Sequence, residues 1–75
     1  MNNIKKYPII GGKYEHYKGG KYEVITMATN TETDEALVIY KSLLFGSIYA
    51  RPLEQWFEII ELKDKTKIKR FQRDE

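Results

Sequence analysis

The chain has 75 residues, 13 basic and 11 acidic, and a net charge of +2 at pH 7. That length fits one domain and leaves little room for an enzyme with a deep pocket. A domain so small buries only about 60% of its unfolded surface, so large aromatics or a partner subunit must add stability. No cysteine is present, which removes disulfides, thiolate metal sites and thiol nucleophiles. The first ten residues lack the apolar run of a signal peptide, and no stretch approaches the ~18 apolar residues of a membrane span. These features point to a soluble, cytoplasmic protein.

Residues 1–11 read as a flexible lead-in, because Pro8 blocks helix and Gly11-Gly12 punctuates the chain. Residues 12–75 read as a single domain. KYEHYK, from Lys13, alternates like a strand, with Tyr14 and His16 on one face and Lys13, Glu15 and Tyr17 on the other. Gly19-Gly20 then predicts a tight two-residue hairpin. KYEVITMAT, residues 21–29, places Tyr22 and Val24 on one face and Ile25 and Met27 on the other, the mixture expected of a strand that bends.

The polar run NTETDE, residues 30–35, reads as a turn closed by side-chain hydrogen bonds from Thr31 or Thr33. ALVIYKSL, residues 36–43, is a third strand. After Gly46-Ser47, residues 48–51 form a fourth. Pro52 suits the first position of a short helical turn, with Leu53, Trp56 and Phe57 on one face. EIIEL and TKIKRF are two further strands around a KDK turn. With no β-α-β alternation, the economical fold is an SH3-like antiparallel β-barrel of five to six strands with one short helical turn.

Charge is uneven along the chain. Residues 1–62 hold seven basic and eight acidic side chains, and residues 63–75 hold six basic and three acidic. The basic end reads first as a solvated strand. Proteins that bind duplex nucleic acid usually carry a larger basic excess on one face.

The blocks KYEHYKGGKYEVI, TET, ALVIYKSL and RPLEQWF resemble a small bacterial and phage family, domain of unknown function 1653. The matching positions include Lys13, Tyr14, His16, Lys18, Gly19, Tyr22, Val24, Thr31, Glu32, Thr33, Val38, Tyr40, Arg51, Pro52, Leu53 and Phe57. The likeness covers about residues 12–71. Ala50 stands where the pattern has valine, and Trp56 adds bulk beside the expected phenylalanine. The resemblance implies a compact single domain, brings no activity with it, and helps in choosing the polar residues considered below.

Candidate chemistry is sparse. One histidine, no cysteine and scattered carboxylates offer no metal-ligand spacing. Ser42 and Ser47 lack a nucleophile-elbow context, and the glycine pairs do not open helices as a phosphate loop would. No catalytic residue, metal or cofactor is expected. His16 reads either as a satisfied strand histidine or as a hydrogen-bond donor to a ligand, with Glu32 a conceivable partner. Arg51 leaves a strand just before a rigid turn. It reads either as an ion pair to Glu32 or Glu54 or as a fork for an anion. Tyr14 and Tyr17 point to opposite faces, so one of them should be exposed for stacking.

These residues define a non-enzymatic binding module for a small anionic ligand of nucleotide type. Tyr14 or Tyr17 would stack on the ring, Lys18 and Arg51 would hold the charge, and His16 would donate a hydrogen bond. One version of that role is sequestration of a nucleotide. A shallow barrel puts such a pocket at its rim or between subunits, favouring a homo-oligomer. The alternatives are a nucleic-acid-binding barrel using the basic C-terminal strand, which ranks behind the small ligand, and a protein-interaction adaptor.

Overall fold

A computed structural model of the protein describes residues 6–74. In chain order the elements are β1 (Lys13–His16), β2 (Lys21–Thr29), β3 (Ala36–Ser42), β4 (Ile48–Pro52), α1 (Leu53–Trp56), β5 (Ile59–Glu61), β6 (Lys67–Lys69) and β7 (Phe71–Arg73). The protein is mainly β. An antiparallel five-stranded sheet has the order β4-β3-β2-β1-β7, and β5 and β6 form a separate two-stranded sheet.

β2 is the long central strand, and its mixed pattern has a local cause. Val24 pairs with Tyr40 and Thr26 with Ile39, so Ile25 is an extra residue in a β-bulge. The bulge turns Ile25 outward and resets the alternation, which lets Met27 pack on the same core as Val24. The turn at residues 30–35 is closed by Asn30, whose side-chain oxygen accepts from the Glu32 N–H at 2.9 Å. It is also closed by Thr33, whose hydroxyl accepts from the Glu35 N–H at 3.2 Å.

The first hairpin is wider than a two-residue glycine loop. β1 ends at His16, whose carbonyl accepts from the Gly19 N–H at 2.8 Å, and the Tyr17 N–H is drawn to the Arg70 carbonyl at 2.9 Å. Gly19 and Gly20 carry φ of 100° and 92°, which side chains with a Cβ rarely adopt. The final strand expected at TKIKRF is divided into two. Arg70 donates its N–H to the Glu58 carbonyl and offers its own carbonyl to Tyr17, both at 2.9 Å. At that residue the chain passes from the small sheet, β6, to the large one, β7. This gives seven strands where five to six were expected.

The expected closed barrel is not found among the described residues. β4 and β7 remain the two edges of the larger sheet. Aromatic side chains, not hydrogen bonds, bridge the space between these edges. α1 follows directly from β4 and lays Trp56 flat on Phe71 of β7, with ring centroids 3.7 Å apart and planes 7° apart. Trp56, Val24 and Val38 are fully buried, and Tyr14, Tyr40, Leu53 and Phe71 complete the core. Of the lead-in, residues 1–5 lie outside the described residues. Gly11 and Gly12 are tied to Val24 by backbone hydrogen bonds of 2.7 and 3.0 Å. No helix among the described residues is long and apolar enough to cross a membrane.

Replacing Trp56 with alanine removes the largest buried side chain and should cost about 3–5 kcal/mol. That is a large share of the roughly 5–10 kcal/mol available to so short a chain. Urea denaturation should find the Trp56→Ala midpoint far below the wild type's. A midpoint close to the wild type's would contradict this role.

Candidate functional site

Cross-strand pairing brings one face of the large sheet together. Tyr14 lies opposite Tyr22 and His16 opposite Phe71. Tyr40 lies opposite Tyr49, and Val38 opposite Arg51. Residues opposite one another share a face, so that face is a field of aromatic rings. α1 covers one part of it. The uncovered part is a cleft of about 180 Å³ lined by His16, Tyr22, Tyr40, Tyr49, Arg51 and Phe71.

The walls hold one another. Tyr22 sets its edge to Tyr40 at 5.4 Å and to Phe71 at 5.9 Å. Tyr40 and Tyr49 lie tilted at 5.6 Å. Gly20 is required beside this cluster, because a Cβ there would lie 3.0 Å from the Tyr22 hydroxyl at a φ of +92°.

Arg51 is the charge in the cleft. Its Nε donates to the Tyr40 hydroxyl at 3.2 Å. Nη1 donates to Gln55 Oε1 on α1 at 3.3 Å, and the guanidinium carbon lies 5.7 Å from the Phe71 ring centre. The ion pairs among the described residues are Lys21 with Asp74 and Arg70 with Glu58, so neither Glu32 nor Glu54 neutralises Arg51. A guanidinium held by neutral groups against aromatic rings retains its capacity for a charge-assisted bond to an anion.

His16 lies at the other side of the cleft, 4.9 Å from Phe71 and edge-on to it. Its Nδ1 accepts from the Lys18 N–H at 3.1 Å. A neutral ring accepting at Nδ1 carries its proton on Nε2, which is then a donor. Burial, followed by the positive charges of Arg51, Arg70 and Lys18, lowers the His16 pKa from its usual value near 6.5.

The cleft thus unites two of the six residues singled out in the sequence, His16 and Arg51. Tyr14 does not line it. Tyr14 is buried, with its ring 5.3 Å from Trp56 and its hydroxyl accepting from the Ile9 N–H at 3.0 Å. Tyr17 is half-buried and stacks obliquely on His16 at 4.8 Å, outside the cleft. Lys18 is exposed, with its ammonium 5.8 Å from the Tyr17 ring centre. Glu32 lies on the turn at residues 30–35, at the Ala36 end of β3.

A larger groove, of about 410 Å³, lies beside that turn and α1, with Asp34, Glu35 and Glu54 on its rim and Leu53 and Phe57 in its wall. It offers carboxylates to an incoming group, and the Lys6 ammonium already lies 5.4 Å from the Phe57 ring centre. Ser42 is buried, with its hydroxyl accepting from the Phe45 N–H at 3.0 Å. Among the described residues no cluster of three or more metal-ligating side chains occurs.

The fold and cleft define a small antiparallel β domain with an aromatic cleft and one unneutralised arginine. The chain belongs to the family described as protein of unknown function (DUF1653), whose model matches residues 12–73. It is similar to the crystal structure of a protein of that family from Bordetella bronchiseptica. The two share 33% identity over 81% of each chain, with a TM-score of 0.70. No curated protein matches the chain.

The lowered His16 pKa has a consequence for stability. The folded protein favours the neutral ring, so this contribution is complete above the usual value near 6.5 and is lost as the pH falls toward the lowered folded value. Chemical denaturation of wild type and His16→Gln between about pH 7 and pH 5 measures it. The wild type should lose stability relative to the variant across that range, and a constant difference would contradict the assignment.

Proposed function

We propose that the cleft binds a small planar anion of nucleotide type, and that the protein acts as a binding module that holds this ligand. The observation that carries the reading is Arg51, whose positive charge meets aromatic rings and neutral oxygens in the cleft and no carboxylate. Aromatic side chains stack on a base with about 1–3 kcal/mol each. A guanidinium fork adds directional bonds to a phosphate or carboxylate.

Tyr49 takes the stacking role in this reading, because it lines the cleft and is 44% exposed. The His16 Nε2–H supplies a neutral donor. The cleft's 180 Å³ is below the roughly 300–1,000 Å³ of sites that enclose a whole ligand. It therefore takes the ring or the anionic group, and the rest of the ligand lies over the rim. Protonation of His16 adds a positive charge near Arg51, so anion affinity should rise as the pH falls toward the lowered His16 pKa, below the ordinary histidine value.

Calorimetric titration with a nucleoside monophosphate, the parent nucleoside and inorganic phosphate tests the reading. The monophosphate should bind most tightly, since it alone uses both the rings and Arg51. Arg51→Gln removes a charge-assisted contact and should weaken binding at least about tenfold. The variant should keep the circular dichroism of the wild type at the titration temperature, because the two bonds lost, to Tyr40 and Gln55, are long at 3.2 and 3.3 Å and leave neutral partners. Absence of binding, or equal binding by the variant, would overturn the reading.

A further inference from the structure

The two edges of the large sheet are built differently. β7 is three residues long, and charged Arg70, Arg73 and Asp74 lie in or beside it. Short strands and charges are the usual protection of a free edge against pairing. β4 lacks both. Residues 42–50 carry no charge, and within them Leu43, Leu44, Phe45, Ile48 and Tyr49 are all exposed, Leu44 and Phe45 by 80% and 78%.

The backbone of β4 is equally available. The Ser42 N–H donates to the Ser47 carbonyl at 2.9 Å, and opposed residues in an antiparallel ladder alternate between bonded and non-bonded pairs. Tyr49 and Arg51 therefore bond inward, to Tyr40 and Val38. Ile48 and Ala50 turn their N–H and C=O groups toward the open edge. Pro52 is the next outward position, and its missing N–H ends the run there.

We propose that a second copy of this chain pairs with β4 in antiparallel fashion, about a two-fold axis passing at Tyr49. In that register each Ile48 faces Ala50 of the other copy, so both outward residues on each side are bonded. Shifting by two residues would set Ile48 against Pro52, which has no donor, or Ala50 against Gly46 in the turn. No like charges meet, because Arg51 falls opposite Ser47. At ordinary side-chain sizes the exposed apolar parts of the segment amount to roughly 600 Å² per copy. Two copies that cover all of it bury about 1,200 Å², the lower bound of stable specific interfaces.

The pairing has a consequence for the cleft. Tyr49 is one of its walls, and at the axis it lies beside Tyr49 of the second copy in a non-hydrogen-bonded pair, where side chains approach most closely. The two clefts therefore meet at the dimer axis. The pairing itself rests only on the edge and its apolar turn and stands whatever the cleft binds.

The absence of cysteine permits a direct test on the full chain. Cα atoms across a non-hydrogen-bonded antiparallel pair are about 4.5 Å apart, within disulfide range. Tyr49→Cys should cross-link to a covalent dimer under mild oxidation, and Leu62→Cys, at an exposed position elsewhere, should not. Sedimentation of the wild type should give twice the chain mass of 8.9 kDa. Ile48→Lys and Ala50→Pro should give monomers, with the circular dichroism of the wild type retained by Ile48→Lys. A monomeric wild type would overturn the proposal, including one whose edge instead accepts an extended segment of another protein. So would a dimer that survives Ile48→Lys, or cross-linking no faster at position 49 than at position 62.

Discussion

The stack of Trp56 on Phe71 organises this domain. A 75-residue chain cannot bury enough aliphatic surface to be secure, and it does not join its sheet edges by hydrogen bonds. Two rings lying 3.7 Å apart connect the helical turn after β4 to the last strand of the sheet. Tyr14 and Tyr40 each set an edge against the same indole, at 5.3 and 5.0 Å. Strands distant in sequence are thereby gathered on one aromatic centre.

The cleft is a product of the same arrangement. α1 is only four residues long, so it covers only part of the aromatic face and leaves the rest open. Phe71 takes part in both regions, stacked on Trp56 in the core and met from the cleft by the His16 ring and the Arg51 guanidinium. Arg51 stands one residue before the end of β4, and its bond to Gln55 ties its guanidinium to α1. The position of the charge therefore depends on the helix that the stack holds down. Stability and the geometry of the candidate site are not separable properties here, because one short element supplies both.

Much of this was legible in the residues. The strand that contains Tyr22 and Val24, the turn at residues 30–35, and the Pro52 turn with Leu53 and Trp56 on one face all follow from alternation, turn chemistry and the fixed φ of proline. His16 and Arg51 were identifiable by residue type, as the lone histidine and an arginine before a rigid turn. Their neighbours were not. That Tyr49 faces Tyr40 and that Phe71 faces His16 depends on register, and register pairs residues up to 59 positions apart. The i, i+2 spacing of Tyr49 and Arg51 was the one local signal that they share a face. Tyr14 looked like a candidate for stacking on a ligand because alternation says which face a ring lies on, but not what already covers that face. The division of the last strand at Arg70 was hidden for a similar reason: its carbonyl is bound by Tyr17, which belongs to the far hairpin.

The proposed ligand site is the aromatic cleft around Arg51, and not the larger acidic groove or the lysine-rich end of the chain. Nuclear magnetic resonance mapping with a nucleoside monophosphate tests it most directly, because every backbone amide and the Arg51 Nε–H report at once. Binding in the cleft should give saturable shifts at Arg51, His16, Tyr22, Tyr49 and Phe71, with the signals of Asp34, Glu35 and Lys67 unmoved. Shifts concentrated in residues 63–70, or spread without saturation over the surface, would contradict it.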